Sequence, residues 1–285
     1  EEGRMRPERL LEEIDISIQE NKIPLCVVAT SGTTVVGAFD PLVEIAEIAH
    51  SNDIWLHVDA AWGGPALFSS KYSHLFDGVE LADSICWDAH KMMGVPLVCS
   101  IFIIKNEPIL RQVCSHGNVA HYLFHSETQT LDLGNISLQC GRRNDALKLW
   151  FAWKEKGDAG WGRMVEEYIG LADYLQSLVE SHPSLEMMSS RVWSNVCFRY
   201  SPNDFTEVSD KANRSNDMNE LNIRIRDRLN LNGSFMVSRS NVGDSVVFRA
   251  VISNPKITTE SLEEFIDEIV SHGDEIIASN EVDVY

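Results

Sequence analysis

Residues 55–99 read WLHVDAAWGGPALFSSKYSHLFDGVELADSICWDAHKMMGVPLVC. An apolar run, Ile54-Trp55-Leu56-His57-Val58, leads into this stretch and ends on a carboxylate, Asp59. A second run of β type, Ser84-Ile85-Cys86-Trp87, ends at Asp88-Ala89-His90-Lys91. Short apolar runs bounded by glycine and polar residues predict buried strands. In an open α/β sheet, groups just beyond the carboxyl ends of the strands line the ligand crevice. Asp59 and Lys91 are therefore expected to face one pocket from two strands.

A buried acid and a buried amine in one crevice suit a cofactor that needs a lysine for its aldehyde and a carboxylate opposite a ring nitrogen. Pyridoxal phosphate is such a cofactor. HVDAAWGG (57–64) followed by DAHKMMGVPLVCS (88–100) strongly resembles the group II pyridoxal-phosphate-dependent amino-acid decarboxylases of fold type I, on the branch of glutamate and cysteine-sulfinate decarboxylases. The resemblance extends through TSGTTVVGAFDP (30–41), HYLF (121–124), LQCGRRNDALKLWFAWKEKG (138–157), NVCFRYSP (195–202) and FRAVISNP (248–255). Several separate blocks in the right order are a specific signal, where a lone lysine after a histidine is a weak one.

With 285 residues the chain can bury a substantial core. Its hydrophobic fraction of 44% and charged fraction of 24% are those of a globular protein. With 24 basic and 43 acidic residues the net charge is −19, which argues against nucleic acid or an anionic membrane surface as partner. An anionic cofactor or substrate must then be held by local positive groups. The cysteines at 26, 86, 99, 114, 140 and 197 show no metal-type pairing and mostly sit in apolar runs. Reduced, buried thiols in a cytoplasmic protein are the expectation. No apolar run reaches the length of a membrane span.

Upstream of the deciding stretch, a charged helix is expected from Arg6 to Glu20 and a strand from Leu25 to Thr30. The turn Ser31-Gly32-Thr33-Thr34 follows, and then a helix with Asp40 as N-cap and Pro41 at its first position. The resemblance places Thr34 near the cofactor ring; a turn that satisfies only its own backbone is the alternative. It also implies that a segment preceding these residues supplies the ring-stacking aromatic and part of the phosphate cradle.

Within the deciding stretch, Asp59 taken alone would be a structural ion pair or turn cap, because a carboxylate at the end of an apolar strand must be paired. Together with Lys91, its implied role is to keep the pyridine nitrogen protonated. Ala61 is implied to lie against the ring face. His57 is read as a structural histidine. Lys91 is the implied cofactor lysine, and His90 approaches the phosphate or caps the turn. Close relatives often carry Asn where Asp88 stands, so Asp88 is left without a phosphate role. A buried strand is expected from Leu97 to Lys105.

Downstream, His121 and His125 have helical metal-pair spacing but no convincing third ligand, and no metal is expected. The segment from Cys114 to Leu133 resembles the catalytic loop of the family. Tyr122 matches its tyrosine, implied to return a proton to the substrate Cα; packing of the loop is the alternative. A helix containing Leu147, Trp150, Phe151 and Trp153 is expected, then a long amphipathic helix from about Gly160. Strands are expected at 195–200 and 245–249, helices at 219–229 and 260–272, and a surface loop between Asn203 and Asn216. Arg249, set between apolar residues, suits a carboxylate bidentately. The resemblance makes that a substrate carboxylate; a structural salt bridge is the alternative.

The expected fold class is α/β. Residues 1–158 form the C-terminal part of a fold-type I large domain, a mostly parallel sheet with flanking helices, and residues 159–285 form a small α+β domain. The implied function is decarboxylation of an acidic amino acid (glutamate, cysteine sulfinate or aspartate) by a homodimer. The alternatives are an aromatic or diamino-acid decarboxylase, or a non-catalytic relative that keeps the fold.

Overall fold

The computed structural model describes residues 2–114, 133–139, 141–202 and 214–279. Its first unit is a four-stranded sheet in the order β1 (Cys26–Thr30), β2 (Trp55–Asp59), β3 (Ser84–Asp88) and β4 (Ser100–Ile104). The first three strands are parallel and β4 is antiparallel to β3. Parallel neighbours need a crossover. The first crossover is helix α2 (Leu42–Ser51), and the second is a chain of short 3-10 turns at Gly64–Phe68, Ser73–Phe76 and Val79–Leu81. Helix α1 (Pro7–Gln19) packs on α2.

Alternation along the strands divides the sheet into two unlike faces. Val27, Ala29, Leu56 and Val58 point to one side and are buried in the core with Leu42, Ile45, Ala46 and Ala49 of α2. The register places Cys26, Val28 and Thr30 beside Trp55, His57 and Asp59 on the other side, where His57 and Asp59 in turn lie beside Ser84 and Cys86. That side is only partly covered: Val28 and Phe102 are each about half exposed. All the chemistry-bearing strand residues lie on this open face.

Beyond α3 (Glu107–Cys114), helix α4 (Asp145–Ser181) leads into the second unit. At Gly157 the backbone leaves helical geometry (φ 64°, ψ 175°). Trp161, Val165, Ile169, Ala172, Leu175 and Val179 then form its buried stripe. The second sheet is fully antiparallel, in the order β5 (Leu185–Met187), β6 (Asn195–Tyr200), β8 (Ser245–Val251), β7 (Ser238–Val242). Helices α5 (Arg214–Asn232) and α6 (Thr259–Ala278) pack together, and α5 also lies against β8. Helix α6 starts with a reciprocal cap in which Thr258 and Ser261 satisfy each other's backbone amides. A Cβ on Gly273 of α6 would come within 2.6 Å of the Tyr200 ring, so this helical glycine is a packing requirement.

Two local expectations are corrected. Asp40 does not cap α2, whose N-cap is Pro41; its carboxylate instead accepts from the amides of Met5 and Thr30, at 2.6 and 2.7 Å, tying the N-terminal segment to the end of β1. The expected buried strand at 97–105 is shorter and forms the sheet edge, with Phe102 and Ile103 more than half exposed. Strands β5 and β7 had no counterpart in the sequence reading. Among the described residues no helix is long and apolar enough to cross a membrane.

Candidate active site

The site is assembled at the carboxyl ends of β1, β2 and β3. Thr30 pairs with Asp59, so β1 and β2 end level; Asp59 pairs with Cys86, so β3 runs two residues further, to Asp88. Two close backbone approaches lock them. The Gly63 amide donates to the Ser31 carbonyl at 3.1 Å, and a Cβ on Gly63 would meet that oxygen at 2.3 Å. Gly32, at φ 91°, leaves 2.6 Å between its own Cβ position and the Gly63 nitrogen. Only glycine fits this contact, because any side chain would force the two turns apart.

Asp59 closes β2. Its Oδ1 accepts from the Ala61 amide at 3.0 Å and from the Cys86 thiol at 3.6 Å. Its Oδ2 accepts no hydrogen bond from the described residues. A half-buried carboxylate with one oxygen held and the other uncommitted is suited to receive a proton donor on the open face. Burial pushes the Cys86 thiol up to about 11, and the nearby Asp59 charge adds to this. Cys86 is therefore a neutral donor and not a thiolate. One turn of sequence earlier, Ser84 Oγ accepts from Trp55 Nε1 and lies 2.8 Å from His57 Nδ1. The His57 ring packs near Phe102, with centroids 5.9 Å apart. Burial draws the His57 imidazole below its ordinary value despite the opposing pull of Asp59. His57 thus has structural partners throughout.

Lys91 follows β3 in a tight turn, its amide donating to the Asp88 carbonyl at 3.0 Å. It emerges at the same end of the sheet as Asp59, on the adjacent parallel strand. The expected burial of the amine is not seen: the side chain is 41% exposed and pairs with Asp88 Oδ2 at 3.0 Å. The reason is the partly covered face, which leaves solvent above the strand ends. His90 has its Nδ1 against the Cys99 backbone, 3.0 Å from the carbonyl and 3.2 Å from the amide nitrogen. Nε2 is the imidazole nitrogen left to turn toward the site.

The other two expected residues meet each other. Arg249 Nη1 donates to the Thr34 carbonyl at 2.6 Å, and its Nε to Ser238 Oγ at 3.2 Å. Thr34 itself is exposed. It borders a cleft of about 660 Å³ lined by the 33–36 turn, Met188–Ser190 and Asn241–Gly243. Asp59 and Lys91 do not line that cleft. Tyr122 lies outside the described residues, as do His116, His121 and His125.

The sequence reading missed Asn195. Fully buried at the start of β6, it accepts from Trp62 Nε1 at 2.7 Å and donates to the carbonyls of Thr34 and Val35 at 3.0 and 2.9 Å. The Cys197 thiol adds a bond to the Val35 carbonyl. The second unit thereby grips the turn after β1 at four points: three from β6 and one from Arg249 of β8. A polar amide heading an apolar run is the sequence signal that could have pointed to it, since such a group must find partners once buried.

The donor set fits a flat, anionic pyridine aldehyde: a carboxylate oxygen free on one strand end, an amine on the next, and a histidine beside it. Residues 1–201 match the family described as the pyridoxal-dependent decarboxylase conserved domain. Human cysteine sulfinic acid decarboxylase is 35% identical over 280 residues, which are 97% of this chain and 57% of that protein. The apo crystal structure of mouse CSAD superposes with a TM-score of 0.89 at 33% identity, covering 96% of this chain and 57% of that one. Oryza sativa TDC, solved with PLP and tryptamine, gives a TM-score of 0.88 at 27% identity over 95% of this chain and 55% of its own. The chain thus spans a little over half the length of these relatives.

Proposed function

The chain belongs to the pyridoxal-dependent decarboxylase family, and on that premise we propose that it carries the cofactor lysine and ring-nitrogen acid of an enzyme that decarboxylates an acidic amino acid. The observation that supports this is that Asp59 ends β2 and Lys91 follows, in a tight turn, the end of the adjacent parallel strand β3 at the same edge of the sheet, with Oδ2 of Asp59 uncommitted among the described residues. The 35% identity to human cysteine sulfinic acid decarboxylase supports an acidic substrate such as cysteine sulfinate, glutamate or aspartate.

When bound, pyridoxal phosphate supplies a conjugated cationic ring that accepts the electron pair left behind as CO2 departs. The residues of this chain do the rest. Asp59 holds a proton at the ring nitrogen, and Cys86 and the Ala61 amide hold Asp59. Lys91 provides the amine that fixes the cofactor through its aldehyde carbon. Ala61, with no bulk beyond Cβ, leaves room for the ring face. The proposed role of His90 is to present Nε2 toward the phosphate, and that of Thr34 to lie near the cofactor ring. Arg249, with Nη2 unused among the described residues, takes a substrate carboxylate and sets which bond at Cα stands across the ring plane. Tyr122 is the proposed donor that returns a proton to Cα. A second copy would cover the exposed Leu97, Val98, Trp150 and Phe151, which gather where Lys148 of α4 meets the Val98 carbonyl. The five described cysteines are free, in keeping with a cytoplasmic setting.

A specific observation favours a second reading, an aromatic substrate: the TM-score to Oryza sativa TDC, 0.88, is nearly that to mouse CSAD. The deciding experiment is release of labelled CO2 from carboxyl-labelled cysteine sulfinate, glutamate, aspartate and tryptophan, with pyridoxal phosphate added. Turnover of an acidic substrate, abolished by Lys91→Arg, is expected. Turnover of tryptophan alone would replace the first reading with the second, and no turnover with no cofactor trapped on Lys91 would reject both.

A further inference from the structure

Asp88 has no task in the site as described, yet it is the best-anchored carboxylate near Lys91. It ends β3 directly opposite Ser100 of β4, whose hydroxyl donates to Oδ1 at 2.5 Å. Its Oδ2 pairs with Lys91 Nζ at 3.0 Å and lies 4.0 Å from His90 Nε2. The two partners of the ion pair are unequal. Asp88 is fixed from the neighbouring strand and its side chain is 18% exposed, whereas Lys91 is 41% exposed on a flexible stem. The carboxylate is therefore the fixed point and the amine the part that swings.

We propose that Asp88, pinned by Ser100, is a latch on Lys91: it holds the ammonium at the end of β3 and restrains the amine from condensing with an aldehyde until the ion pair opens. The latch rests on the assignment of Lys91 as the cofactor lysine. Condensation uses the neutral amine. The ammonium first gives one proton to solvent; its nitrogen lone pair then bonds to the aldehyde carbon, a carbon–nitrogen double bond forms, and the carbonyl oxygen leaves as water with the two remaining nitrogen protons. A neighbouring anion opposes the first of these events by stabilising the charged amine.

The carboxylate form is the one that faces Lys91 near neutrality. Burial raises the Asp88 carboxyl, but the Ser100 hydroxyl and the Lys91 charge outweigh it and hold the group below the usual carboxylate range. The other titratable groups around the pair are His90 on the same turn, Asp59 and Cys86 from the strand ends, and Cys99, Asp145 and Lys148 on the side of β4 and α4. Among the described residues the ion pair of Lys91 is with Asp88, the carboxylate that Ser100 pins.

The test measures the reactivity of the Lys91 amine in the cofactor-free chain. Wild type, Asp88→Asn and Ser100→Ala are acetylated with trace acetic anhydride, and Lys91 is quantified by peptide mapping against the exposed Lys22. In parallel, pyridoxal phosphate is added and trapped with borohydride. At pH 7.5, Asp88→Asn is expected to acetylate at Lys91 about threefold to fivefold faster, the scale set by a partly exposed ion pair. Ser100→Ala is expected to shift in the same direction by less, and it keeps the test alive if Asp88→Asn fails to fold. Unchanged or slower acetylation of Lys91 in the folded variants overturns the latch, even when pyridoxal phosphate is trapped on Lys91 and the cofactor assignment survives. Faster acetylation with no pyridoxal phosphate trapped on Lys91 in any protein shows that the ion pair restrains the amine but removes the cofactor assignment, and the latch falls with it.

Discussion

The thiol of Cys86 points at the same oxygen of Asp59 that the Ala61 amide holds, Sγ lying 3.6 Å from Oδ1. A weak sulfur donor thus completes the orientation of the carboxylate and leaves its other oxygen for the cofactor. Cys86→Ala is expected to weaken pyridoxal phosphate binding about twofold to fivefold, the value of one weak hydrogen bond, while Cys86→Ser retains wild-type affinity. Fluorescence titration with the cofactor reads both. Because the thiol is pushed up to about 11, Cys86 should also alkylate with iodoacetamide at pH 8 on the order of a hundredfold more slowly than a free thiol.

Asn195 carries three hydrogen bonds between the two units. Asn195→Ala would strand the Trp62 indole and take one of two donors from each of the Thr34 and Val35 carbonyls, at a cost of about 1–3 kcal/mol in urea unfolding. Asn195→Asp should cost no less, since a carboxylate cannot donate to the carbonyls of Thr34 and Val35. Equal stability of either variant with wild type would show the clamp to be dispensable.

Gly273→Ala forces a methyl group into the Tyr200 ring, whose hydroxyl is tied to Asp274. The expected loss is about 1–3 kcal/mol, as for other overpacked sites. In most helices the same substitution stabilises, so a raised melting temperature would contradict this packing.

His57 supplies a pH dependence. Burial lowers its folded-state value beneath that of the unfolded chain. The unfolded state therefore binds the proton first as pH falls, and its stability contribution, complete above about pH 6.5, is lost as pH drops through the folded value. The stability of wild type minus that of His57→Gln should decline from pH 7.5 to pH 5.5. A difference that stays flat across this interval would mean that the imidazole is not desolvated.

The parts of the fold legible in the sequence were those where one force dominates. Apolar runs that stop at Asp59 and at Asp88 fix β2 and β3, and the parallel pairing sets Asp59 beside Cys86, two residues short of the end of β3. The buried stripe of α4 could likewise be read from Trp161 to Leu175. Where two readings compete for the same residues, the sequence was ambiguous. Asp40 before Pro41 has the pattern of a helix cap, but the orphan amides of Met5 and Thr30 lie closer to hand. Residues 97–105 are apolar enough for a core strand, yet Phe102 and Ile103 sit at the sheet edge and are more than half exposed. Strand β7, Ser238–Val242, is polar and alternates between half-buried and exposed, so it shows no apolar run. Asn195 and Ser100 matter through partners distant in the chain or across a strand pair, which local pattern does not reveal.

The four-point hold on the turn after β1 couples the two units mechanically. Asn195, Cys197 and Arg249 hang on the carbonyls of Thr34 and Val35, and the head of that turn is stitched through Ser31 to Gly63, four residues past Asp59. Any tilt of the antiparallel sheet is therefore geared to the neighbourhood of the ring-nitrogen acid. The arginine that would grip a substrate and the carboxylate that would tune the ring cannot be displaced independently.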